Sequence, residues 1–369
     1  MTDRTFETTE SRGRIEAHSA PEVKANLFGI QMLRALAAIG VLVHHALETS
    51  NGLPGEMRMV PDWLTTSGAS GVDIFFVISG FIMVYVGFRG SEPKVRPRTF
   101  LLHRALRIYP IYWLCCLAIL GVTAVGFLSN LDTSSEAVLR SFLLVPNDAH
   151  VLGVAWTLVY EMYFYLLFAA TLLFRSRRIT VFLCAVLLVL GHLAAPLAVD
   201  PVVQRFLANP IVFEFALGMG LALAFANGRL PVVPVVMGLP TLLLLFVAPI
   251  FMPHEGTHGL EGWGRVLAWG LPSALLLASV LYVARPVSRF GRLVVLLGDA
   301  SYALYLTHVF VVIGYSFLLK KGVFDGMPQL VSVGLVCLLS LGVAVMAHLY
   351  VEKPLTALLR GPRRASVAG

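Results

Sequence analysis

Arg34 and His45 lie eleven positions apart in one apolar stretch, IQMLRALAAIGVLVHHALE. At 3.6 residues per turn that spacing is close to three turns, so both share a helix face roughly 16 Å apart along the axis. The stretch is long enough to cross a bilayer. Ionisable groups are costly in hydrocarbon, so such residues face a protein interior or a wet cavity. A guanidinium near one edge suits an anionic donor. An imidazole further in suits a base. His44 competes with its neighbour for that role, and the spacing from Arg34 favours His45.

Three other segments carry polar residues at helical spacing. In HRALRIYP, Arg104 and Arg107 stand at i, i+3 on one face. Paired guanidiniums fit a pyrophosphate or a 3′-phosphate, and they also fit a plain cytoplasmic anchor. Pro110 is expected in the first turn of that span. In WTLVYEMYFY, Thr157, Glu161 and Tyr165 form an i, i+4, i+8 line behind Trp156. In SYALYLTH, Ser301, Tyr305 and His308 form a second line. Polar lines are unfavourable against lipid, so both should face inward. GVDIFFVISGF places Asp73 at the start of a span, with Ser79 and Gly80 suited to close helix packing. The aromatic residues also fit ordinary packing or interface belts.

The elements that must position these groups are membrane helices. The chain is 57% hydrophobic and 13% charged, which excludes a soluble globular composition. Ten candidate spans are read: about 29–49, 69–88, 106–128, 151–174, 180–198, 207–226, 233–252, 263–284, 296–319 and 328–350. With the N-terminus inside, 22 of the 28 Lys and Arg fall on the inner side. That bias predicts both termini in the cytoplasm, and it accounts for the net charge of +7 without a nucleic-acid partner. The fold class is therefore an all-α polytopic bundle of about ten transmembrane helices. Residues 1–25 are expected to be a flexible cytoplasmic tail without a signal peptide, 26–355 the membrane domain, and 356–369 a basic cytoplasmic tail. The four cysteines sit in apolar stretches, and no HExxH or CxxC spacing occurs, so neither a metal nor a permanent cofactor is expected. At 1.5 Å per residue, His45, Glu161 and His308 fall about 22, 15–17 and 18 Å from the inner face. Asp73 and Trp156 fall nearer the outer face, and Arg34, Arg104 and Arg107 nearer the inner one.

Taken in order, IQMLRALAAIGVLVHH, GVDIFFVISGF, FLLHRALRIYPIYW, WTLVYEMYFY, GDASYALYLTH and VEKPL resemble the acyltransferase 3 family of integral membrane acyltransferases. The likeness is to its exopolysaccharide-acetylating, ExoZ-like branch, and it covers about residues 28 to 355. The resemblance implies an enzyme of the cytoplasmic (inner) membrane that moves an acyl group, most often acetyl, from cytoplasmic acyl-CoA to a carbohydrate hydroxyl. It places the family's first-helix pair on Arg34 and His45 and its RxxR pair on Arg104 and Arg107. Its later motifs fall on Trp156 and Glu161, and on Ser301, Tyr302, Tyr305 and His308. Many relatives carry an extracytoplasmic hydrolase-like domain that this sequence lacks, so the chain is expected to finish the transfer itself or pass the acyl group on.

The resulting expectation has three parts. His45, Glu161 and His308 form the catalytic group. Arg34, Arg104 and Arg107 hold acyl-CoA, a co-substrate rather than a resident cofactor. Asp73, Trp156, Ser301 and Tyr305 meet the acceptor. The expected partners are the lipid bilayer, acyl-CoA, a carbohydrate such as an exopolysaccharide or lipid-linked glycan, and polysaccharide-assembly proteins. A transporter or flippase of lipid-linked sugars would also need inward polar lines, but not one indispensable histidine. A scaffold would need neither the intramembrane histidine nor the glutamate.

Overall fold

A computed structural model describes residues 28–52, 60–128, 131–252, 259–283 and 288–360. The expected N-terminal tail and residues 361–369 of the expected C-terminal tail lie outside them. The described chain is almost entirely helical. A short antiparallel pair, β1 (Phe88–Arg89) and β2 (Glu92–Pro93), is the only sheet among the described residues.

The helices are α1 (Phe28–Asn51), α2 (Asp62–Gly87), α3 (Pro97–Ala124), α4 (Ser135–Leu143), α5 (Gly153–Phe174), α6 (Arg177–Leu193) and α7 (Pro201–Ala208). They continue with α8 (Pro210–Ala226), α9 (Val235–Phe251), α10 (Gly262–Val280), α11 (Arg289–Asp299), α12 (Ser301–Lys320) and α13 (Gln329–Leu359). Every expected span is helical, but fewer than ten have spanning length. Seven helices are long and apolar enough to cross a membrane, and eight if α7 and α8, bent by 46° at their junction, count as one. Pro210 marks that bend, since proline removes a backbone donor. The shortfall lies in α6, of 17 residues, and α9, also 17 from Val235 to Phe251.

Helix α1 lies among α2, α11, α12 and α13, which explains why it carries site residues. Helices α2 and α8 cross in close contact. A Cβ at Gly80 would collide with the backbone of Phe215, and one at Gly218 with that of Val77. Small residues here let two backbones touch, the usual route to tight packing when lipid supplies no hydrophobic drive between helices.

Helix α3 starts at Pro97, nine residues before the expected span, so Pro97 takes the first-turn place and Pro110 lies inside the helix. Neighbouring helices make such an interior proline tolerable in a membrane. Near it, Tyr112, Trp113 and Tyr109 donate to the carbonyls of Ser141, Phe142 and Leu143 at 2.8, 2.9 and 3.0 Å. These bonds satisfy the open C-terminal carbonyls of α4. The connection between α3 and α5 therefore folds back on the bundle.

Candidate active site

Two cavities meet inside the bundle. The first, of about 300 Å³, is bounded by α1, α2, α3, α5 and α12. Arg34, Arg104 and Arg107 line it, together with Gln31, Ser79, Glu161, Tyr165, Ser301 and Tyr302. Arg104 reaches over the Phe100 and Tyr165 rings at 5.4 and 5.6 Å, and its Nε has no hydrogen-bond partner among the described residues. Glu161 accepts from Tyr165 and, at 3.2 Å, from Ser79. Three guanidiniums around one bonded carboxylate make this cavity fit for an anion.

The second cavity, of about 290 Å³, lies beyond the first. His44, His45, Glu48, Trp156 and His308 line it. Val72 and Tyr305 belong to both walls. Tyr305 is held there by Thr157 Oγ1 at 2.6 Å and by donation to the Val154 carbonyl at 2.7 Å.

Hydrogen bonding sets each imidazole. His308 Nδ1 lies 2.9 Å from the Leu304 carbonyl, which can only accept, so Nδ1 carries the proton. Its Nε2 has no partner among the described residues and offers a lone pair. His45 Nδ1 lies 3.3 Å from Glu48 Oε2, again an acceptor, which leaves Nε2 as the basic nitrogen. His44 Nδ1 donates to the Thr65 carbonyl at 2.8 Å, tying α1 to the start of α2. His44, His45 and Glu48 offer ligand atoms within 4.8 Å of one another, the one potential metal-ligating group among the described residues. Proton sharing around Glu48 accounts for the same arrangement.

The structure thus gathers Arg34, Arg104, Arg107 and Glu161 in one cavity and His45, His308 and Trp156 in the next. Glu161 does not face the histidines, although their depths along the bundle are similar, because the Tyr305 wall lies between the two cavities. Ser301, expected near the acceptor, lines the arginine cavity, and its Oγ has no partner among the described residues. Ser79 serves the site through Glu161, while Gly80 does the packing.

Asp73 needs correction as an acceptor contact. Its carboxylate is wholly buried and takes two bonds from Arg265, at 2.9 Å from Nε and 2.8 Å from Nη2. Arg265 also donates to the Leu260 carbonyl at 3.3 Å and stands over Trp269 at 5.1 Å and Trp156 at 5.8 Å. A buried carboxylate must be paired, and Arg265 is its partner.

Glu48 was missed as a site residue. Its signal was its position, three residues after His45 and four after His44 on one helix.

The geometry defines a polytopic membrane protein with a cavity lined by three arginines set against one lined by three histidines and a glutamate. The sequence profile described as "Acyltransferase domain", of the acyltransferase 3 type, matches residues 27–349, and the chain belongs to that family. It is 33% identical over 322 residues to the exopolysaccharide production protein ExoZ of Rhizobium meliloti (strain 1021), covering 82% of this chain and 94% of that protein. It is 28% identical to the acyltransferase MdmB of Streptomyces mycarofaciens, covering 90% of this chain and 92% of that one. No solved structure matches. The chain is a membrane acyltransferase.

Proposed function

We propose that this enzyme moves an acetyl group from cytoplasmic acyl-CoA to a carbohydrate hydroxyl presented from the other side of the membrane. The observation that carries the reading is the shared Tyr305 wall between the arginine cavity and the histidine cavity. Arg34, Arg104 and Arg107 hold the phosphates of acyl-CoA at the end where α1 begins, the cytoplasmic end by the charge bias. The pantetheine arm runs past Tyr305 and brings the thioester to the histidines.

His45 Nε2 takes the proton of the acceptor hydroxyl as its oxygen attacks the thioester carbonyl. Glu48 holds His45 in the tautomer that presents Nε2 and stabilises the imidazolium that forms. The tetrahedral intermediate collapses, the carbon–sulfur bond breaks, and the departing thiolate takes the proton back from His45. His308 Nε2 accepts a hydrogen bond from the acceptor and orients it. Similarity to a protein named for exopolysaccharide production supports a glycan acceptor.

The test is transfer of radiolabelled acetyl from acetyl-CoA to isolated glycans by the purified protein. Wild type should label the glycan and His45→Ala should not. Equal labelling by both would overturn the reading.

A further inference from the structure

A third cavity, of about 720 Å³, adjoins the histidine cavity on the side away from the arginines. Gly153 and Trp156 line both. A Cβ at Gly153 would meet nothing within 4 Å, so no side chain closes the boundary there. The third cavity is more than twice the volume of either inner one, and its lining differs in kind. Trp156 stands edge-on to Tyr160, which stacks on Phe206 at 4.3 Å, giving an aromatic wall. Around it lie an exposed ion pair, Arg205 with Asp148, and His150. His150 is only 8% exposed, and its Nδ1 has no hydrogen-bond partner among the described residues. Burial pushes its imidazole down to about 4, so at neutral pH it is uncharged and can donate or accept. Arg265 lines the same space while fixed by Asp73, so it keeps its position when a ligand enters.

Resting on the acyl-transfer reading, we infer that this third cavity is the acceptor site and binds an oligosaccharide segment of several sugar rings. Sugars present apolar ring faces and many hydroxyls. Such a ligand needs flat aromatic surface beside mixed donors and acceptors, which Trp156 and Tyr160 offer together with Asp148, His150 and Arg205. A hydroxyl of the bound segment passes Gly153 and Trp156 to reach His45 and His308. A single small acceptor would need only the histidine cavity. The extra volume therefore points to a chain substrate, bound beyond the unit that is modified.

Ala149 and Ala208 line this cavity, are exposed, and are assigned no contact with the glycan. Each is replaced by cysteine in the full-length protein, in cells that make the surface polysaccharide. A bulky membrane-impermeant maleimide is applied, and base-labile acetyl on the isolated polysaccharide is measured. The controls are wild type, which carries buried Cys115, Cys116 and Cys184 and a half-buried Cys337 that lines none of the three cavities and whose own modification it reads out, and Lys321→Cys, exposed at the same end of the bundle and likewise lining none of them. Modified Ala149→Cys and Ala208→Cys should lose at least tenfold of the acetyl incorporation, while acetyl-CoA binding in membranes from the same cells persists. Modified Lys321→Cys should lose none. The inference falls if both cavity cysteines are fully modified and acetylation continues, if neither reacts from outside, or if the Lys321→Cys control loses as much. Loss of the acyl-transfer reading looks different: the polysaccharide then carries the same acetyl with and without the unmodified protein, which removes this inference with it.

Discussion

The imidazoles of His45 and His308 lie with ring centroids 5.4 Å apart and 21° from parallel. They come from α1 and α12, and each is oriented by a different partner. A carboxylate one turn away holds His45, and a backbone carbonyl holds His308. Both therefore turn an unprotonated Nε2 to the same cavity; His44 lines it too, and its Nδ1 donates to the Thr65 carbonyl at the start of α2.

His45→Ala should abolish transfer with near-normal expression, since loss of general-base catalysis costs about 10²–10⁴-fold. His44→Ala should instead lower stability, by about 1 kcal/mol for its lost hydrogen bond, and leave more activity. Turnover and thermal unfolding in detergent, measured on both variants, separate the two roles. An inactive His44→Ala beside an active His45→Ala would reverse the assignment.

Glu48→Gln should lower kcat while leaving the KM for acetyl-CoA unchanged. The amide keeps the shape but cannot stabilise an imidazolium as a carboxylate does, so part of the roughly 10²–10⁴-fold base contribution is lost. A fall in acetyl-CoA affinity with kcat intact would place Glu48 outside the proton transfer.

Arg104→Ala and Arg107→Ala should each weaken acetyl-CoA binding by about 1.5–3 kcal/mol, the range for a hydrogen bond to a charged group. Lysine at either position should restore only part, because it lacks the planar fork. Titration calorimetry on the purified protein measures this directly. Unchanged affinity in the double alanine variant would reduce both to membrane-edge anchors.

Asp73→Asn and Arg265→Met should each destabilise the protein, since removing one partner of a buried ion pair costs about 3–5 kcal/mol. Asp73→Leu combined with Arg265→Met should recover part of that loss, because the two charges are removed together, with buried Glu214 left as an ionisable group beside the site. Thermal unfolding of the singles and the double checks the coupling. A stable Asp73→Asn with a raised acceptor KM would return Asp73 to the acceptor.

Much of this enzyme was legible in one dimension. Apolar length identified the membrane helices, and the cost of charge in hydrocarbon singled out Arg34, His45, Glu161 and His308 as inward-facing. Spacing put Arg104 and Arg107 on one face, and both line the cavity of Arg34. What the sequence could not decide was which polar groups meet, because depth along a helix says nothing about which neighbour a side chain faces. Glu161 and the histidines share a level but not a cavity, since Tyr305, bonded to Thr157, lies between them. Asp73 and Arg265 pair although α2 and α10 are remote in the chain, a match made only when α2 and α10 pack together. The span count also needed tertiary structure. Apolar composition marks a helix, but the 46° bend before Pro210 and the 17-residue lengths of α6 and α9 are seen only in the folded chain.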